Sequence, residues 1–65
     1  MKDRFYAIYK ILKDDEVIQA VFDTRKEVAE YLKNKVNIQH FTQMLKRKDI
    51  IYLDNSCYRV YEFKD

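Results

Sequence analysis

Gln39, Gln43 and Arg47 recur every four residues in the stretch 37–48, with His40 and Lys46 beside them. At about 100° per residue, that spacing brings the three long polar side chains to one side of a helix. Ile38, Phe41, Met44 and Leu45 then fall on a wide apolar face. Glutamine pairs bidentately with adenine, and arginine with guanine or with phosphate. A helix of this kind has the chemistry of a reading edge for the DNA major groove. The plainer alternative is an amphipathic helix whose outer face happens to be rich in Gln and Lys. His40 by itself reads as a surface histidine.

Other chemistries lack their residues. The chain has one Cys, one His, no Gly and no Pro. That leaves no nucleophile–base pair, no Gly-rich phosphate loop and no set of metal ligands. Asp14 and Asp15 are adjacent in a turn and face solvent rather than share a pocket. Cys57 cannot close an internal disulfide and reads as a small strand residue. The expectation is a protein that is not an enzyme and needs no cofactor or metal.

Charge points the same way as the helix. The 65 residues carry a net charge of only +2, unevenly spread. Residues 1–23 hold four basic and five acidic side chains, hence −1. Residues 24–48 hold seven basic and two acidic, hence +5, and residues 49–65 hold two and four, hence −2. A local basic patch is the footprint of a polyanion binder, though a solvated helix surface would also favour Lys and Arg. Lys26, Lys33 and Lys35 are candidates for phosphate contact alongside Gln39, His40, Gln43, Lys46 and Arg47.

These side chains need elements to hold them. At 48% apolar and 37% charged, the composition is that of one small globular domain spanning 1–65. A chain of this size buries only about 60% of its unfolded surface and often gains from a partner. No apolar run is long enough to cross a membrane, and residues 1–4 do not open a secretory signal, so a soluble cytoplasmic location is expected.

Residues 4–13 and 17–22 alternate aromatic and β-branched side chains around Asp14-Asp15-Glu16, an N-terminal β-hairpin within 4–22. Thr24 and Glu27 form a capping box that opens a helix whose stripe is Val28, Ala29 and Leu32, flanked by Tyr31. Asn34 takes the left-handed position that Gly usually holds, Val36 plugs the space between helices, and Asn37 caps the second helix. The span 24–48 is thus a helix-turn-helix. Residues 50–53 and 57–63 around Asp54-Asn55-Ser56 form a C-terminal β-hairpin within 50–63. The expected class is α+β and winged-helix-like. A wing after a recognition helix would offer Asn55, Ser56 and Arg59 to phosphate or the minor groove. Asp49 and Asp54 oppose that use, and the hairpin would otherwise only complete a sheet.

The succession Tyr6-Ala7-Ile8-Tyr9-Lys10 followed by Thr24-Arg25-Lys26-Glu27-Val28-Ala29-Glu30-Tyr31-Leu32 resembles small bacteriophage and mobile-element proteins that place a β-hairpin before a helix-turn-helix. The second of these runs is also similar to the first helix of winged-helix regulators and excisionases. The likeness covers most of the chain in layout and about a dozen residues in letters, and this chain lacks the usual Gly in the turn. It implies a DNA-binding role in transcription regulation or as an accessory factor. Double-stranded DNA is then the expected partner, and a homodimer is expected because one short helix reads few base pairs. The competing expectation is a protein-interaction module that binds and modulates a host protein, which the Tyr-rich strands would suit.

Overall fold

The computed structural model describes residues 4–64; residues 1–3 and 65 of the single-domain span lie outside the described residues. In chain order the elements are β1 (Arg4–Ile11), β2 (Glu16–Phe22), α1 (Arg25–Tyr31), a 3-10 turn (Ile38–His40), α2 (Phe41–Arg47), β3 (Ile51–Leu53) and β4 (Ser56–Lys64). The fold is a small α+β domain, with both helices on one side of a four-stranded antiparallel sheet of order β2-β1-β4-β3. The two hairpins are not separate. β1 pairs with β4 along its whole length, from Arg4↔Lys64 to Ile11↔Cys57, so the first and last strands form the centre of the sheet.

That pairing decides which face of β1 is core. Tyr6 and Ile8 point toward the helices with Val60 and Ile51, where Val28, Leu32, Val36, Phe41 and Met44 cover them. Phe5, Ala7, Tyr9 and Ile11 point the other way, beside Cys57, Arg59, Tyr61 and Phe63. In β2 the register slips by one residue, since Ile8 faces Ala20 while Tyr9 faces Ile18. Gln19 is the extra residue of this bulge, and it leaves both Ile18 and Val21 on the helix-free face.

Local boundaries shift from the sequence reading for physical reasons. β1 stops at Ile11, because the Leu12 N–H donates to the Asp15 carbonyl at 2.8 Å and closes the turn; Glu16 joins β2. At the start of α1 only half of the capping box forms. Thr24 Oγ1 accepts from the Glu27 N–H at 3.2 Å, but its own hydroxyl donates to Glu27 Oε1 at 2.9 Å, which occupies the carboxylate. Glu27 therefore makes no return bond to the backbone there.

A chain without glycine has to find left-handed residues elsewhere. Both helices end in a pair of C-terminal bonds around such a residue. After α1, Lys33 N–H donates to Glu30 O and Asn34 N–H to Ala29 O, and Lys33 (φ 51°) joins Asn34 (φ 60°) in the left-handed region. After α2, Lys48 N–H donates to Leu45 O and Asp49 N–H to Met44 O, with Lys48 at φ 55°. The β3–β4 hairpin turns on two residues, Asp54 (φ 51°) and Asn55 (φ 64°), the type I′ pattern that matches strand twist. Ser56 belongs to β4, not to the turn.

Candidate nucleic-acid interface

The segment read as one helix over 37–48 is built in two pieces. Asn37 Oδ1 accepts from the Gln39 N–H at 2.9 Å and caps a single 3-10 turn before α2 begins at Phe41. A 3-10 turn advances about 120° per residue. This extra rotation swings Ile38 out of the apolar stripe, where it is 47% exposed, while Phe41 and Met44 stay buried. It also breaks the straight four-residue spacing: Gln43 and Arg47 share a flank of α2, but Gln39 sits on the preceding turn.

Three elements hold α2 in place. Phe41 is fully buried, edge-on to Tyr6 with ring centroids 5.4 Å apart. The Arg25 guanidinium carbon lies 5.4 Å from the centroid of the Phe41 ring, and Arg25 Nε donates to the Tyr6 hydroxyl at 3.4 Å. Val36, buried between the helices as expected, fixes the link.

With α2 seated in this way, an open cleft of about 600 Å³ runs between it and β3. His40, Gln43 and Arg47 line it together with Lys35, Asn37 and Asp49. His40 thus stands in line with Gln43 and Arg47 rather than merely beside them. The cleft gathers Lys35 and Arg47 as positive charges, with the Asp49 carboxylate opposing them. Tyr52, 71% exposed, lies opposite Cys57 in the edge strand β3, so strand alternation directs its ring to the helix-free face of the sheet rather than toward α2.

The other candidates scatter. Gln39 and Lys46 are exposed but do not line the cleft, and Lys26 is exposed in the first turn of α1. Lys33 Nζ lies 3.2 Å from Asp54 Oδ2, so this lysine ties the end of α1 to the hairpin turn that carries Asn55. Arg59 is not at the hairpin tip. It lies on the helix-free face, where Nε donates to the Lys48 carbonyl at 3.1 Å and Nη1 reaches Glu16 Oε1 at 3.4 Å. The Tyr61 hydroxyl, which donates to both Glu16 oxygens, and the Glu16 charge push the guanidinium further up from its ordinary pKa. Arg59 is therefore engaged on the far side of the sheet from the cleft.

Among the described residues no group of three or more His, Cys, Asp or Glu side chains is placed to hold a metal ion, and no helix is long and apolar enough to cross a membrane. Compared with protein-family models, curated proteins and solved structures, the chain matches none.

Proposed function

We propose that this domain is a small regulatory or accessory protein that binds double-stranded DNA, with α2 as the element that enters the groove and the β3–β4 hairpin as its wing. The observation that carries this reading is the convergence of Gln43 and Arg47 with His40 and Lys35 along one open cleft. Gln43 and Arg47 read base edges, while Lys35, Lys46 and Lys26 contact phosphates. Arg59 plays no part, and Lys33 and Asn55 act at the hairpin tip.

Binding to random duplex DNA at about 50 mM and about 200 mM salt tests it. Three to five phosphate contacts give a loss of affinity of roughly 40-fold to 500-fold over that range. Absence of binding at the lower salt overturns the reading. One observation favours a second reading, a module that binds and modulates a host protein: the face of the sheet away from the helices is aromatic and aliphatic, and no element among the described residues covers it.

A further inference from the structure

We infer that the helix-free face of the sheet is the seat of a second copy of this chain, so that two copies stack sheet on sheet. On that face Ile18 and Val21 are each 50% exposed and Phe63 is 40% exposed, beside the half-buried Phe5, Tyr9 and Tyr61. The rings on this face already form two pairs. Phe5 stacks on Phe63 at 5.3 Å between centroids, and Tyr9 meets Tyr61 edge-on at 5.1 Å.

Charge selects the occupant. The strands of that face carry two charged side chains among the described residues, Glu16 and Arg59, which neutralise each other within one copy, while Asp14 and Asp15 lie beside them in the β1–β2 turn at the rim of the sheet. Two such faces meet without like-charge repulsion, and neither charge needs a partner from outside. A polyanion gains nothing there, because Lys26, Lys35, Lys46 and Arg47 belong to the helical layer on the other side of the sheet. Isologous contact needs a patch that complements itself, and a neutral aromatic layer does.

Size sets the affinity. Strands of eight, seven, nine and three residues, at about 4.8 Å spacing and about 3.3 Å rise, cover a planar area of about 430 Å² per copy. Two copies together fall at or below about 1,000 Å², the range of weak, reversible association. The helices end up on opposite outer sides of the stack. A dimer of this kind bridges two DNA segments rather than adjacent half-sites on one.

Sedimentation equilibrium of the full chain from about 10 µM to about 1 mM tests the inference without any DNA, so its result is independent of the DNA reading. A reversible monomer–dimer equilibrium is expected, with a dissociation constant in the tens to hundreds of micromolar. Val21→Lys is expected to weaken it at least about tenfold, and Ile18→Lys, on the same face, to do likewise; both side chains are half exposed, and circular dichroism checks that each variant stays folded. Val17→Lys, on the same strand but the opposite face and 40% exposed, is expected to leave it unchanged. A wild-type chain that stays monomeric to 1 mM overturns the proposal. So does a dimer that survives both face variants, or one that Val17→Lys dissolves, which would indicate pairing through the β2 edge. Tyrosine fluorescence quenched by a single-stranded oligonucleotide, and relieved by Val21→Glu, would assign the face to nucleic acid and also overturn it.

Discussion

The Tyr6 ring meets the Phe41 ring edge to face at 5.4 Å between centroids, and this contact joins the central strand of the sheet to the first residue of α2. Every side chain proposed to read DNA from α2 depends on it, because Phe41 is the buried residue from which the orientation of Gln43 and Arg47 follows.

Phe41→Ala is expected to cost about 3–5 kcal/mol. A domain of this length has a total stability of roughly 3–10 kcal/mol, so the variant loses between about a third and all of it. A cooperative thermal transition close to that of the parent chain would contradict the role given to this ring.

Glycine at the two left-handed helix ends is expected to stabilise the protein. A non-glycine side chain in that conformation costs roughly 1 kcal/mol, and both Lys33 and Lys48 bear it. Lys48→Gly is expected to gain about 0.5–1 kcal/mol in urea denaturation. Lys33→Gly is expected to gain less, because it also loses the exposed ion pair with Asp54, itself worth at most about 1 kcal/mol.

Thr24→Ala removes the oxygen that accepts from Glu27 N–H. The expected loss is about 1 kcal/mol, or roughly 4–8 °C in Tm for a chain of this size. Thr24→Ser is expected to keep most of that stability, since the hydroxyl is the working group.

Gln43 and Arg47 are exposed and their replacement leaves the core untouched. The Gln43→Ala/Arg47→Ala pair is expected to abolish preference for a selected site while the melting curve stays within about 0.5 kcal/mol of the parent. Lys35→Ala, by contrast, is expected to weaken binding to all duplexes alike and to reduce the slope of log affinity against log salt by about one. Unchanged site preference in the double variant would remove α2 from the reading role.

The sequence by itself determined the local structure, because the relevant forces act over a few residues. Thr24 and Asn37 as caps, Val28, Ala29 and Leu32 as a buried stripe, Val36 between the helices and the two strand pairs all follow from hydrogen bonding and periodicity within a turn or two. The αL residue expected at Asn34 is there for the same reason, although Lys33 shares the conformation. The tertiary structure alone decided what depends on distant partners. Phe5, Ala7, Tyr9 and Ile11 are as apolar as Tyr6 and Ile8, so only the β1–β4 pairing and the position of the helices established which row is core. Ile38 carries a sound helical spacing, yet the Asn37 cap closes a tighter turn and expels it. Arg59 lies two residues after Cys57 in sequence and looks like a wing residue. Strand alternation puts it on the far face, where Glu16, 43 positions earlier in the chain, holds it. No local rule connects those two side chains; the sheet that places β1 between their strands does.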